Sequence, residues 1–430
     1  MSEEKLPQKD LAYLQKGPGE PLMIQDMSYQ HPPPSEVAIR ILCCGVCHTD
    51  LHMVEGALGL TKNWPAIPGH EFIGDIVEVG SEVSRWKVGD RVGGAWHGGH
   101  DNECDQCQQG FFQGCNNQVI NGVSRPGGFS EYCIVRQEAI VKIPANLDPA
   151  QTAPFLCAGV TVFNSLRHLQ LKPGDIVAIQ GLGGLGHLAL QYARKMGFRV
   201  VAISSSSAKR DYAFELGAHH FIDTSTQNVT DELLELGGAK SIMLTAPNPT
   251  GMGQYMNGLC FQGTLLLLTP TGDVLVDSSV LIQKSCSVQG WCTGHARDCE
   301  EAVEFANLHE IRCEVETFHF GQLEEAFDRL NANVVGSIPL PLVVAGPITI
   351  DGQAYSIPMA TTEGVLVAST NCSCKAVNSG SGVITVIIND GMTYGPCVRF
   401  STIKRAAVAR EWLDSEAGQT DMTRAFKTTS

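Results

Sequence analysis

Three separated pieces of the chain carry residues able to bind a soft metal ion. The run Cys43-Cys-Gly-Val-Cys-His-Thr-Asp-Leu-His52 supplies thiols, Gly69-His70-Glu71 supplies an imidazole, and Pro154-Phe-Leu-Cys-Ala-Gly-Val-Thr161 supplies the further thiol of Cys157. Paired cysteines in an apolar strand are by themselves ordinary buried thiols, so the weight rests on the combination. Two thiolates and one imidazole make a three-ligand zinc site with an open fourth position, the arrangement of catalytic rather than structural zinc.

A second signature is Gly181-Leu-Gly-Gly-Leu-Gly186, with the spacing G-x-G-x-x-G. A lone match is weak, but this one follows the apolar run Ile176-Val-Ala-Ile-Gln180, a predicted strand, and opens a predicted amphipathic helix over 186–196. In that setting Gly181 makes the tight turn, Gly183 lets the backbone approach a pyrophosphate, and Gly186 lets helix and strand pack closely. Gly184 and Leu185 complete the cofactor-binding loop, whose amides face an anion at the helix N-terminus. The second strand, Arg199-Val-Val-Ala-Ile203, runs into Ser204-Ser-Ser-Ser-Ala-Lys-Arg210 rather than into a carboxylate that would hold a ribose 2′-hydroxyl. Ser204, Ser205 and Ser206 can donate to phosphate oxygens and Lys209 or Arg210 can supply charge, so NADP is expected over NAD.

These groups need a scaffold, and the chain changes grammar near residue 175. Before it, short β-branched runs such as Val37-Ala-Ile-Arg-Ile-Leu42 and Phe72-Ile-Gly-Asp-Ile-Val-Glu-Val79 alternate with Gly, Pro and Asp, which predicts a barrel-like β domain. After it, apolar runs alternate with helical patterns, the βαβ grammar of a parallel sheet. From about Asn333 the chain is rich in Gly, Ser, Thr and Pro and reads as a separate module. The net charge of −15, with no basic run to override it, speaks against nucleic acid and membrane surfaces as partners. No stretch of 18 apolar residues occurs, and MSEEKLPQKD lacks the apolar core of a signal peptide. A cytoplasmic protein is therefore expected, its 16 cysteines reduced and partly engaged with zinc.

Taken together, residues 1–330 resemble the zinc-dependent alcohol dehydrogenases of the medium-chain dehydrogenase/reductase superfamily. The resemblance implies an α/β fold: a GroES-like β-barrel catalytic domain (1–156), a Rossmann doubly wound parallel sheet (157–295), and a return to the catalytic domain (296–332). By motif, Cys47 before His-Thr-Asp, His70 in Gly-His-Glu, and Cys157 match the family's catalytic zinc ligands. Thr49 matches its hydroxyl relay and His52 its relay histidine, with Asp50 and Glu71 orienting the ligands. The implied reaction moves a hydride between a primary or secondary alcohol and NAD(P), the proton leaving through Thr49 and the cofactor ribose towards His52. The family's second zinc site has four cysteines at C-x2-C-x2-C-x7-C, which appear here as Asp101, Cys104, Cys107 and Cys115. A carboxylate is an acceptable ligand, so two zinc ions per chain are expected. His97 and His100 lie close by but off the spacing. Trp64, Trp96, Phe155 and Trp291 are candidates for the wall of a small-molecule alcohol or aldehyde pocket, and a homo-oligomer, dimer or tetramer, is expected. The cinnamyl-alcohol-type branch shares the NADP reading of the serine run.

Residues 333–430 resemble a different family. Asn333-Val-Val-Gly-Ser-Ile-Pro-Leu-Pro-Leu-Val-Val-Ala-Gly-Pro347, Pro358-Met-Ala-Thr-Thr-Glu-Gly and Asp390-Gly-Met-Thr-Tyr-Gly-Pro396 are similar to the catalytic domain of 3-hydroxy-3-methylglutaryl-CoA (HMG-CoA) reductase, implying a C-terminal α+β fragment. Glu363 falls on that family's catalytic glutamate, but the remaining catalytic groups belong to sequence beyond the stretch present, and Tyr394 replaces a substrate-gripping arginine. Glu363 is accordingly expected to be a remnant. The competing readings are a working HMG-CoA reductase and a catalytically dead fusion with a binding or assembly role. The run 338–344 is expected to lend the dehydrogenase an edge strand.

Overall fold

The computed structural model describes residues 9–56, 64–246, 252–270, 272–334, 342–350 and 353–360. The chain divides into two compact units, Met1–Gly336 and Ser337–Ser430.

The first half of the first unit is built on strands β1 (Glu36–Cys44), β2 (Phe72–Val79), β3 (Arg91–Gly94), β4 (Tyr132–Arg136) and β5 (Ile140–Lys142). They form an antiparallel sheet in the order β4-β1-β2-β3-β5, a half-barrel. Its inner face is a cluster of Val37, Ile39, Phe72, Ile76, Val92 and Val135, the alternate residues that a pleated strand turns to one side. Gly94 is needed for that closure, because a Cβ there would stand 2.2 Å from the Phe72 ring. Between β1 and β2 lies helix α1 (His48–Val54), which carries the first of the chemical motifs.

The second half is a six-stranded parallel sheet of β6 (Ile176–Gln180), β7 (Arg199–Ser204), β8 (His220–Asp223), β9 (Ala239–Leu244), β10 (Leu259–Leu267) and β11 (Ser287–Gly290). The order β8-β7-β6-β9-β10-β11 reverses direction between β6 and β9, the switch point of a doubly wound sheet. Every residue of β6 is buried, and they alternate between two cores: Val177 and Ile179 in one, Ile176 and Ala178 in the other. A strand covered on both faces reads as an unbroken apolar run.

Four helices complete the first unit's functional frame: α2 (Ala158–His168), α3 (Gly184–Lys195), α4 (Ala296–Leu308) and α5 (Leu323–Val334). Helix α3 starts at Gly184, two residues before the predicted start, with the extended Gly183 as its N-cap. Helices α2 and α4 are fastened by Arg167, whose guanidinium pairs with Asp298 and Glu301. Helix α5 is continuous through residues 332 and 333, where the sequence suggests a boundary.

In the second unit, Leu342–Ile350 and Gln353–Ala360 pair antiparallel as a sheet of their own. The run 338–344, expected to lend an edge strand, is described only from Leu342, where it pairs with the strand that follows it. A nearby antiparallel partner satisfies the backbone groups with a short loop and little closure entropy. Glu363 and Tyr394 lie outside the described residues.

Candidate active site and metal centres

Cys47 caps the N-terminus of α1, and Cys157 caps that of α2. His70 sits immediately before β2, and the three bring Cys47 Sγ, His70 Nε2 and Cys157 Sγ together, all within 4.8 Å of one another. Nε2 stands 3.3 Å from the Cys157 sulfur, which is 3.9 Å from that of Cys47. A tetrahedral zinc with Zn–S of about 2.3 Å and Zn–N of about 2.0–2.1 Å separates its ligand atoms by about 3.5–3.8 Å, so the donor set and its spacing fit that ion.

One fully buried carboxylate organises this cluster. Asp50 accepts hydrogen bonds from the Cys47 amide (3.0 Å), the Gly69 amide (3.2 Å) and His70 Nδ1 (2.7 Å). Holding the proton on Nδ1 leaves the Nε2 lone pair facing the sulfurs. The contact with Cys157, reinforced by His70, draws the Cys47 thiol well below the usual thiol range, while the same contact and burial push Cys157 up. Burial opposes a charge on His70, but Asp50 and Cys47 outweigh it and hold its pKa well above the ordinary value. Burial, then the charge of Cys47, raises Glu71, whose side chain would meet a Cβ at position 45, so Gly45 makes room for it.

The relay candidates share helix α1 with the ligand. Thr49 is half-buried, and its amide points at the Cys47 sulfur. His52 is about half exposed, 3.5 Å from Glu55. His48, which the sequence reading passed over, has a buried Nε2 with no hydrogen-bond partner. Of the aromatic wall candidates, Trp96 meets His70 edge-on at 5.2 Å. Phe155 is instead buried in the main core against Tyr192, so its expected place in a pocket wall is corrected. Trp291 is half-buried and stacks on His168.

Asp101, Cys104, Cys107 and Cys115 form a second cluster, again with all ligand atoms within 4.8 Å. Asp101 receives the Glu103 and Cys104 amides at 2.8 and 3.1 Å and the Asn117 side chain at 2.7 Å. These donors, the Glu103 amide first, hold its carboxyl well below the usual range. The Cys104 thiol is likewise lowered, chiefly by the Asn116 and Cys107 amides. A loop that aims amides at thiolate and carboxylate is suited to a cation held by anionic ligands. His97 and His100 stay out of it: they bind each other at 3.0 Å, and His100 turns its other nitrogen to Asn102.

The glycine loop leaves β6 as expected. Gly181 has φ +95, open to glycine alone at ordinary cost, and a Cβ at Gly186 would lie 2.0 Å from the Gly181 carbonyl oxygen. Gly183 caps α3, and Gly183 and Gly184 have open space around them. Leu185 is half-buried against the main core. Ser204 ends β7, Ser205 and Ser206 are exposed beyond it, and Ser206 receives the Ala208 amide. Lys209 Nζ reaches the Leu182 carbonyl at 3.4 Å, across the glycine loop. Arg210 lies over the Phe214 and Phe221 rings. Asp223, on the neighbouring strand β8, stands beside Ser204 but is occupied by the amide and hydroxyl of Ser225.

Known proteins resemble this chain in sequence and fold. The family model for the alcohol dehydrogenase GroES-like domain matches residues 33–145 and that for zinc-binding dehydrogenase matches 184–307. Alcohol dehydrogenase patD of Penicillium expansum is 47% identical over 319 residues, covering 74% of this chain and 93% of its own length. The chain belongs to the alcohol dehydrogenases of the medium-chain dehydrogenase/reductase superfamily. A solved cinnamyl alcohol dehydrogenase of Sorghum bicolor is 29% identical, with a TM-score of 0.68 over 76% of this chain and 96% of that one. The protein CAD of Helicobacter pylori, solved in complex with NADP(H), is 26% identical, with a TM-score of 0.67 over 75% of this chain and 94% of that one.

This alcohol dehydrogenase is thus an oxidoreductase of alcohols and the corresponding carbonyl compounds. The family model for hydroxymethylglutaryl-coenzyme A reductase matches residues 301–430. Its first part overlaps α4 and α5, which pack within the dehydrogenase unit. Among the described residues no helix is long and apolar enough to cross a membrane.

Proposed function

We propose that the chain is a zinc-dependent dehydrogenase of primary or secondary alcohols that holds two zinc ions and prefers NADP to NAD. The observation that carries this reading is the convergence of Cys47, His70 and Cys157 at zinc-ligand spacing, from three segments far apart in sequence. When bound, the zinc polarises the substrate oxygen and the nicotinamide exchanges hydride with the substrate carbon. The chain's own residues supply the rest. Asp50 keeps His70 in the tautomer that offers Nε2 to the metal. The Thr49 hydroxyl takes the alcohol proton and passes it by way of the cofactor ribose towards His52, which lies three residues on along the same helix and is open to solvent. Trp96 packs edge-on against His70 and helps to bury that ring. Asp101, Cys104, Cys107 and Cys115 hold the second ion.

Gly181, Gly183, Gly184, Leu185 and Gly186 cradle the cofactor pyrophosphate. Ser204, Ser205, Ser206, Lys209 and Arg210 receive the 2′-phosphate, since the adjacent Asp223 is consumed within its own turn. The domains follow the limits 1–156, 157–295 and 296–332, with 333–430 a non-catalytic fragment. A homo-oligomer, dimer or tetramer, is favoured by the large apolar side chains of Leu275 and Ile282, 88% and 79% exposed in the stretch that leads into edge strand β11. Free cysteines throughout the described residues favour a reducing, cytoplasmic setting.

Purified protein assayed with a panel of primary alcohols and both nicotinamide cofactors, alongside zinc analysis, tests the reading. NADP-linked oxidation with about two zinc per chain is expected, the number that two complete ligand sets imply. A zinc-free protein, or one without dehydrogenase activity when zinc-loaded, overturns it.

A further inference from the structure

Helix α5 has Leu323, Ala326 and Phe327 buried and Leu330 half-buried, the i, i+3, i+4, i+7 stripe of a helix that packs on one face. That stripe meets Tyr13, Leu22, Leu51 and Phe129 in a cluster separate from the other cores, with Cys44, Val46 and Val54 packed on its rim. Phe327 meets Phe129 edge-on at 6.1 Å, and the Leu323 amide donates to the Tyr13 hydroxyl at 3.4 Å.

The cluster lies against the element that bears the metal ligand. Leu51 is one turn beyond Cys47 on α1, Val54 closes that helix, and Cys44 and Val46 precede the ligand by three residues and one. Helix α1 has seven residues, too few to hold its own shape in water, so packing decides where it lies. Asp50 holds its polar side; the α5 cluster is what it rests on. A metal site tolerates ligand displacements of only about 0.5 Å, so a void beneath α1 is felt at Cys47.

The geometry points to Leu323 and Phe327 as positioning residues for the catalytic zinc site, placed on the helix that leads from the dehydrogenase into the C-terminal unit. They touch neither zinc nor substrate and act through Leu51 on the position of Cys47 and Thr49. The stretch matched to the reductase family thus includes residues that serve the dehydrogenase's own site. The inference rests on reading Cys47, His70 and Cys157 as zinc ligands.

The test uses the full chain and reads zinc affinity at each site by chelator competition, with kcat, KM and thermal unfolding recorded in parallel. Phe327→Ala is expected to weaken the Cys47–His70–Cys157 zinc site about 10- to 100-fold, the range seen when groups that orient metal ligands are lost. It should lower kcat, leave cofactor affinity and the other zinc unchanged, and be largely rescued in Phe327→Leu. A folded Phe327→Ala protein with unchanged zinc affinity and kcat, or one in which both zinc sites weaken together, overturns the inference. If Phe327→Ala does not fold, Leu323→Ala carries the same comparison with a smaller void. A wild-type chain that binds no zinc defeats the reading of the ligand cluster instead, so the two failures are distinct.

Discussion

Alanine at Gly183 and at Gly186 separates a glycine kept for a ligand from one kept for packing. At Gly183 the backbone is extended (φ −96, ψ −156), a conformation alanine adopts freely, and nothing stands within 4 Å of an added Cβ. The free protein should therefore be unharmed, and removing a glycine from the unfolded chain adds about 0.4–1 kcal/mol of stability. The methyl group does, however, occupy the approach of a pyrophosphate to the helix N-terminus. A loss of at least about 1.4 kcal/mol, or tenfold, in cofactor binding is expected. At Gly186 the added Cβ lies 2.0 Å from the Gly181 oxygen. Ordinary contact is about 3.5 Å, so strand β6 or helix α3 must move by more than about 1 Å. Overpacking of this kind costs about 1–3 kcal/mol, or several degrees in the melting temperature. Thermal unfolding and cofactor titration of both variants decide the matter. Wild-type cofactor affinity in Gly183→Ala, or a wild-type melting temperature in Gly186→Ala, refutes the division of roles.

Removing a ligand should empty one zinc site only: Cys47→Ala or His70→Ala is expected to abolish turnover while zinc falls from about two per chain to about one. Full activity in the depleted protein contradicts the mechanism. Ser204→Asp sets a negative charge at the end of β7, and NADP should lose far more affinity than NAD; a wild-type preference for NAD of tenfold or more, about 1.4 kcal/mol, disproves the serine reading. Asp10 offers a pH test, because burial and then the charge of Glu131 raise its pKa to about 6, and its Oδ1 is buried without a partner. A raised carboxyl favours the folded state only while protonated, so that stabilisation is lost as pH rises from about 4 through 6. Asp10→Asn should therefore gain about 1 kcal/mol over wild type at pH 7 in urea unfolding, a figure discounted for the partial exposure of Asp10, and gain nothing near pH 3.5. An equal gain at both pH values removes the electrostatic explanation.

What could be read before folding was whatever is local. The glycine spacing of 181–186 announced both the turn and the helix, because φ +95 at Gly181 and the contact at Gly186 are demands of a few consecutive residues. The donor types at 47, 70 and 157 were legible only as a combination, and the set at 101–115 only through the resemblance to a zinc-binding family; folding brings the ligand atoms of each set within 4.8 Å of one another. Strands β1 and β2 followed from β-branched runs set between Gly, Pro and Asp, and β6 from an unbroken apolar run.

Tertiary structure decided everything that depends on which distant segment arrives alongside. Phe155 is beside Cys157 in sequence yet faces the core, since the short turn before α2 sends successive side chains in different directions. No carboxylate ends β7, but β8 brings Asp223 next to Ser204. Asp50 looked like one helper among several until folding set the Gly69 amide and His70 against it, making one carboxylate serve both ligand-bearing segments. Leu342–Ile350 pairs with the strand that follows it, and the apolar face of α5 meets Tyr13, Leu22, Leu51 and Phe129. Periodicity reveals that a helix has an apolar face but not what that face will meet, and the partner of α5 lies about 300 residues away in the chain at Tyr13.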